Sequence, residues 1–179
     1  MSTVVTSRVT RMPLEQEFEQ LFREHSQLLY RTAYSLLDNP ADAEDVLQTI
    51  FLRLLRNGLP SGFQKNVKGY LYRAAVNASL DTIRARKRHD HADGVQRVGF
   101  SPESIDVVSV EENHRRLAEA LAELDPEAAE ILVLKYVHSY KDVDIAKVIG
   151  TSRGAIAMRL LRSRSRLKKL MRDLSGEKK

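Results

Sequence analysis

Residues 142–172 read DVDIAKVIGTSRGAIAMRLLRSRSRLKKLMR, and this stretch decides the fold of the C-terminal part of the chain. It begins with the spacing of a short amphipathic helix, Gly150 breaks that helix, and Ser152 is a good cap for a second, longer helix. A scaffold helix, a tight turn that contains glycine and a second helix form the sequence pattern of a helix-turn-helix. We therefore predict this motif, with its second helix able to lie in a major groove.

The second helix is strongly basic. It has eight arginine and lysine residues from Arg153 to Arg172, and no acid before Asp173. Charge of one sign favours a polyanionic partner. A solvated charged face or a basic helix lying on a membrane are the alternatives, but the preceding scaffold helix, glycine turn and serine cap favour DNA. Base contacts are expected between Ser152 and about Arg162, because the N-terminal part of such a helix enters the groove.

The composition of the whole chain limits the class of protein. The 179 residues carry a net charge of +5 and no cysteine, which excludes disulfides and thiolate metal sites and indicates a reducing compartment. The sequence shows no secretory signal and no apolar run that could span a bilayer, so we expect a cytoplasmic protein without stable membrane insertion. It has no glycine-rich phosphate loop, no HExxH and no metal-spaced His/Cys set. We therefore expect no enzymatic activity, no catalytic residue, no metal and no cofactor.

The spacing of apolar residues predicts an all-α fold. Helical periodicity covers most of the chain, whereas residues 89–110 have no sustained period, contain glycine and proline, and are acidic relative to their flanks. We expect two small helical domains joined by a flexible linker, the C-terminal one a helix-turn-helix. The predicted segments are a disordered lead-in (1–13), a first domain (14–88), the linker (89–110), a second domain (111–174) and a tail (175–179).

One polar stripe of the first domain is a candidate DNA-reading edge. Asn77, Asp81, Arg84 and Arg88 are spaced four, three and four residues apart and share one face of a helix. The stripe is either an ordinary polar surface with a local Asp–Arg pair or a nucleic-acid face, since Asn can read adenine and Arg can read guanine or hold phosphate. The adjoining run of basic residues up to Arg88 favours the second interpretation.

Two further groups of residues in the first domain have a structural and a functional interpretation. The aromatic residues Phe63, Tyr70 and Tyr72 either belong to the core or stack on unpaired bases beside a basic face. A second group forms the outer face of the helix that starts at Pro40, where it either serves solubility or, since it includes a leucine, meets a protein partner. This second group comprises Asp45, Gln48, Thr49 and Leu52.

Three segments together resemble the bacterial RNA polymerase sigma factors, specifically the small two-domain ECF (extracytoplasmic function) group. The resemblance covers roughly Phe18–Lys87 and Leu117–Leu170. LLDNPADAEDVLQTIFLRLLR resembles the helix that docks on the polymerase clamp, and NVKGYLYRAAVNASLDTIRARKR the helix that melts the promoter and reads the minus-ten element. ALAELDPEAAEILVLKYV, followed by DIAKVIGTSRGAIAMRLLRSRSRLKKL, resembles the domain that reads the minus-thirty-five element.

The resemblance implies roles for particular residues. It implies that the loop from Asn57 to Asn66 captures a flipped base and that the acidic linker threads the channels of the polymerase. It implies as partners core RNA polymerase, promoter DNA and an anti-sigma factor. The residues that we assign are Asp45, Gln48, Thr49 and Leu52 for the polymerase contact, Phe63, Tyr70, Asn77, Asp81, Arg84 and Arg88 for minus-ten DNA, and Ser152, Arg153, Ala157, Met158, Arg159, Leu161 and Arg162 for minus-thirty-five DNA.

The chain departs from the family pattern at several of these positions. Thr49 stands where the family usually has Glu, which predicts a weaker polymerase contact there. Ala157 and Met158 stand where polar or basic residues are common. Apolar side chains cannot donate hydrogen bonds to bases, but they can contact a thymine methyl group. We therefore expect the minus-thirty-five sequence that this chain recognises to differ from the common one.

The alternative to a sigma factor is a stand-alone helix-turn-helix regulator whose N-terminal domain senses a ligand or dimerises. That alternative would leave the face around Asp45 and Gln48 without a purpose. Loss of polymerase binding in a variant that replaces both residues by Ala would distinguish the two.

Overall fold

The computed structural model describes the backbone of residues 14–92 and 105–175, and this part of the chain is helical throughout apart from short turns. It contains seven α-helices and one short 3-10 helix, which confirms the all-α fold. The α-helices are α1 (Leu14–Leu37), α2 (Pro40–Asn57), α3 (Val67–Ala92), α4 (Ile105–Ala122), α5 (Pro126–Tyr136), α6 (Asp142–Ile149) and α7 (Arg153–Ser175), and the 3-10 helix is Phe63–Lys65.

Local capping chemistry sets the start of three helices. The Asn39 side chain accepts a hydrogen bond from the Asp42 backbone N–H at 3.1 Å, and Pro40 occupies the first turn of α2. At α5, the Asp125 side chain accepts from the Ala128 N–H at 2.9 Å. At α7, the Ser152 hydroxyl accepts from the Ala155 N–H at 3.2 Å. Each cap satisfies a backbone donor that has no partner inside its helix.

The turn between α6 and α7 has the geometry of a helix-turn-helix. Gly150 is left-handed, with a φ of 79°, and its N–H donates to the Ala146 carbonyl. The Thr151 N–H donates to the same carbonyl at 2.9 Å. Glycine reaches this φ without the steric cost that a Cβ atom would bring, so the chain can reverse within a few residues.

Helix extends into both ends of the segment that the sequence assigns to the linker. α3 continues to Ala92, and α4 begins at Ile105 rather than near Glu111. The valines and isoleucine of residues 105–110 obscure this in the sequence, but their cost to a helix is only a few tenths of a kcal/mol each, and a helix already nucleated propagates through them. Residues 93–104, the lead-in 1–13 and the last four residues of the tail lie outside the described part, and the domain boundaries stay predictions.

The two helical halves pack against each other. We call α1–α3 the N-terminal half and α4–α7 the C-terminal half. Their buried side chains form one continuous cluster, which includes Leu29 of α1, Leu71 and Leu80 of α3, Ile131 of α5 and Ile156 of α7. None of the helices in residues 14–92 and 105–175 combines the length and the hydropathy that a membrane span requires.

Candidate nucleic-acid interface

The N-terminal part of α7 presents a mixed apolar and basic face to solvent. Ile156 and Leu160 are buried and hold the helix on the core. Ala157, Met158, Leu161 and Arg162 are exposed on the opposite face, where the side chain of Leu161 is 64% accessible. Ser152 and Arg153 are exposed at the N-terminal end of the helix, whose positive dipole favours an anionic group. The predicted minus-thirty-five residues other than Arg159 thus share an accessible surface.

Arg159 lies apart from this surface. It is partly buried, and its guanidinium forms an ion pair with Glu127 in the first turn of α5. Arg166 lies near the same end of α5, 3.7 Å from the Asp125 carboxylate. Arg164 lies over the ring of Tyr136, with its guanidinium carbon 5.9 Å from the ring centroid. These acids and this ring partly neutralise or shield the basic charge of α7.

The outer face of α2 is open to solvent. Asp45, Gln48, Thr49 and Leu52 are all exposed there, Leu52 to 47%. Beside them a shallow groove between α1 and α2 is lined by Leu47 and by the aromatic rings of Phe22 and Tyr30. The ring centroid of Phe22 lies 4.8 Å from that of Phe51, yet Phe22 remains half exposed.

Sequence reasoning did not single out Phe22 and Tyr30 as surface residues. Both lie on the apolar face of α1, and the core buries only part of that face. Only the packing of α1 on α2 shows that the rings border a groove. The largely apolar groove adjoins the more polar exposed face of α2. Together they form one surface that is suited to a protein partner.

Two of the aromatic side chains near the loop before α3 belong to the core. Phe63 is only 3% exposed, and its ring meets the edge of the half-buried Tyr70 at 5.2 Å between centroids. Tyr72 is buried, its hydroxyl donates to the Glu130 carbonyl at 3.1 Å, and burial raises the pKa of that hydroxyl. In this conformation Phe63 and Tyr72 cannot stack on a base. The structure thus favours the core interpretation for these two side chains, because aromatic residues gain most from burial.

The predicted polar stripe of α3 is divided between solvent and the C-terminal half. Asp81 and Arg88 are exposed, whereas Asn77 is partly buried. Arg84 donates through Nη1 to the Asp81 carboxylate at 2.8 Å and through Nε to the Ala122 carbonyl at 2.9 Å. The Asp–Arg pair is therefore present, and the arginine also bonds to the end of α4.

Several polar contacts join the two halves. One is an ion pair in which Arg73 Nε donates to Glu130 Oε2 at 3.1 Å, with the Glu130 side chain 3% exposed and that of Arg73 47% exposed. Burial raises the pKa of Glu130, and the charge and hydrogen bond of Arg73 oppose this shift. The sequence does not point to this pair, because its members are 57 residues apart and no periodicity links them.

The comparisons with known proteins agree with the fold. Residues 21–89 match the family Sigma-70 region 2, and residues 114–167 match the family Sigma-70, region 4. The chain is 31% identical over 156 residues to the ECF RNA polymerase sigma factor SigM of Mycobacterium tuberculosis, with 86% of this chain and 76% of SigM covered. It is 30% identical over 174 residues to the ECF RNA polymerase sigma factor SigE of Mycolicibacterium smegmatis, with 89% of this chain covered, and it spans 63% of the length of SigE.

A similar solved structure is that of the sigma factor RpoE in complex with the anti-sigma factor NepR from Bartonella quintana. It shares 24% sequence identity and a TM-score of 0.48 with this chain, and the alignment covers 88% of this chain and 98% of RpoE.

The order of the helices, the helix-turn-helix and the two matched regions define a sigma-70-type transcription factor. The chain belongs to the ECF group of RNA polymerase sigma factors. This membership assigns it to promoter-directed initiation of transcription.

Proposed function

We propose that the chain binds core RNA polymerase through the outer face of α2 and directs it to promoters that carry a minus-ten and a minus-thirty-five element. The observation that carries this division of labour is the exposure of two unlike surfaces on different halves. The face around Asp45, Gln48 and Leu52 combines polar side chains with an apolar one, whereas the face around Arg153 and Arg162 carries basic side chains. Residues 14–88 and 111–174 are the two proposed functional domains. Because each reads one element, their linkage adds specificity.

The minus-thirty-five element is proposed to be read by the N-terminal part of α7. Ser152, Arg153 and Arg162 are placed to contact phosphates or base edges. Between them Ala157, Met158 and Leu161 form an apolar strip that is suited to thymine methyl groups. Arg159 joins the contact after exchanging Glu127 for a phosphate. The expected element is therefore richer in thymine, on one strand or the other, than one read by polar side chains.

The minus-ten element is proposed to be read by α3 and the loop before it. Asn77, Asp81, Arg84 and Arg88 supply the polar groups along the helix. In this proposal Phe63 and Tyr70 act together as a packed pair that shapes the loop from Asn57 to Asn66, where a flipped base is captured. Extrusion of a base costs a few kcal/mol, which a preformed pocket has to offset.

A matched pair of variants tests the polymerase contact. Asp45→Ala combined with Gln48→Ala should weaken capture of core RNA polymerase in a pull-down and leave DNA binding by the helix-turn-helix unchanged. The control combines Glu19→Ala with Gln20→Ala, which likewise removes one carboxylate and one amide from an exposed face, here on α1. Equal capture by both double variants and by the unmodified chain would move the contact to another face. DNA binding without any capture of core RNA polymerase by the unmodified chain would favour a stand-alone helix-turn-helix regulator instead.

An anti-sigma factor is a further proposed partner, and the cytoplasm is the proposed compartment. Three apolar side chains of the N-terminal half, Phe22, Leu52 and Leu55, are about half exposed near the α2 face, and an inhibitor that covers them would compete with the polymerase. An anti-sigma factor that is captured from cells with the unmodified chain should accordingly not bind the Leu52→Glu variant. It should also block binding of core polymerase when added in excess.

A further inference from the structure

Three apolar side chains form a strip on the exposed face of α7. Ala157 and Leu161 are four residues apart, and Met158 lies beside them, three residues before Leu161. Leu161 is 64% accessible and Met158 51% accessible. A single apolar side chain at a surface is ordinary, but adjacent ones that the core leaves uncovered mark a binding surface.

Basic side chains on the same face point to DNA as the partner of this strip. Arg153 extends the line of Ala157 and Leu161 at a spacing of four residues, and Arg162 extends the line of Met158 in the same way. Both arginines are exposed. Arginines at these two positions can hold phosphates on either side of a groove. The strip between them then faces the base edges on the floor of the groove.

The residues around the strip are small enough for a close approach to the bases. Gly154 lies three residues before Ala157, and glycine is less favourable in a helix than alanine. A Cβ atom on Gly154 would meet no atom of the described residues within 4 Å, so packing inside the protein does not require a glycine there. The missing side chain instead leaves room outside the helix for the edge of a base pair.

The strip can sense only one feature of a pyrimidine. In the major groove thymine presents the O4 acceptor and a C5 methyl group, whereas cytosine presents the N4 amino donor. Side chains of alanine, methionine and leucine offer no hydrogen-bond donor and only the weak thioether acceptor, so they hardly distinguish O4 from N4. They gain contact from the methyl group. 5-Methylcytosine carries its methyl group on the same C5 atom as thymine does.

We propose that α7 recognises the C5 methyl group itself, so that 5-methylcytosine is bound as well as thymine and methylation of a cytosine creates a recognition site. The inference rests on the proposed function, in which α7 enters the major groove at the minus-thirty-five element. It extends the ligands of the chain to a modified base. Use of a promoter with cytosine at the contacted position then depends on whether that cytosine is methylated.

The probe for the test is a duplex that the complete complex selects. Core RNA polymerase loaded with the full chain retains members of a random-sequence duplex library, and one retained duplex is resynthesised with single changes in its upstream motif. Uracil in place of thymine removes only the methyl group and should weaken binding about fourfold at a contacted position. At the same position a 5-methylcytosine–guanine pair should bind about fourfold more tightly than a cytosine–guanine pair.

A double variant and a matched control assign the effect to the strip. Met158→Ala combined with Leu161→Ala removes most of the apolar surface, and it leaves the charge and the helix intact because both side chains are exposed and alanine favours a helix. It should abolish most of both methyl effects and leave capture of core polymerase unchanged. Val143→Ala shortens an apolar side chain that is similarly exposed on α6, and both methyl effects should persist in it.

Two results would overturn the inference alone. One is binding that is equal for thymine and uracil, and for cytosine and 5-methylcytosine, at every position of the upstream motif. The other is a double variant that retains both methyl effects; if it also captures less core polymerase, the strip contacts a protein. Failure of the proposed function looks different. Retained duplexes would then share no upstream motif, or Arg153→Ala combined with Arg162→Ala would not weaken their binding, and the inference would fall with the proposed role of α7.

Discussion

Removal of the Arg73 side chain should destabilise the protein through the carboxylate that it leaves behind. Glu130 is almost inaccessible, so water cannot replace the lost partner in the folded state. An exposed pair contributes about 0.2–1 kcal/mol, and removal of one partner of a fully buried pair costs about 3–5 kcal/mol. Because the Arg73 side chain is 47% exposed, we expect an intermediate loss of about 2 kcal/mol for Arg73→Ala.

Urea unfolding followed by circular dichroism measures this loss, and the chain has no tryptophan whose fluorescence could be used instead. With a slope of about 2 kcal/mol per molar urea, the midpoint should fall by about 1 M. Arg23→Ala is the matched control, since that arginine is exposed and paired with Glu19 on the same helix. Its midpoint should hardly change, because an exposed pair contributes little.

The dependence on pH distinguishes the carboxylate from a simple loss of packing. Burial already raises the pKa of Glu130 above its ordinary value of 4.5, and Arg73 opposes the shift, so the pKa rises further in Arg73→Ala. A group with a raised pKa in the folded state favours folding only in its protonated form. The destabilisation should thus be full at neutral pH and shrink as the pH falls toward 4.5. An equal loss at pH 7.5 and pH 5, or a loss below 0.5 kcal/mol, would refute the reasoning.

Three other changes have defined expected results. Ile156→Ala removes a fully buried side chain of α7 and should lower the free energy of unfolding by about 2–5 kcal/mol in the same urea assay; a loss below 1 kcal/mol would mean that α7 is not anchored there. Gly150→Ala should cost only about 1 kcal/mol, because a Cβ atom meets nothing within 4 Å and only the left-handed backbone is strained; melting temperature reports it. Burial, and then the charges of Lys68 and Arg31, lower the pKa of His138, whose ring faces Thr32, Tyr72 and Tyr140. Protonation of His138 between pH 7.5 and pH 6 should therefore destabilise the protein by at most about 0.8 kcal/mol, and by less if water reaches the ring. His138→Gln should remove this part of the pH dependence of stability.

Local features of the fold could be predicted because they depend on neighbouring residues. The cap at Asn39, the cap at Asp125 and the turn at Gly150 each involve side chains within a few positions of the backbone groups that they serve. The exposed face of α7 follows from its helical period in the same way. These features do not require knowledge of how the helices pack.

Features that depend on packing could not be predicted. The sequence left Phe63 and Tyr72 open between core and base stacking, and only the approach of neighbouring helices shows that both are buried. The contact between Arg73 and Glu130 joins two helices on opposite sides of the segment 93–104, and no periodicity specifies such a pair. Polar residues on a helix face look alike whether they meet water, DNA or another part of the chain.

Transcription from a promoter library by core RNA polymerase, free of other sigma factors and supplemented with this chain, tests the central claim most directly. The account predicts transcripts whose start sites share two motifs at a fixed spacing. It also predicts that the upstream motif changes when Met158 is replaced by a polar residue, since Met158 is exposed on the reading face of α7. Transcripts without shared motifs, or DNA binding without any stimulation of the polymerase, would contradict it.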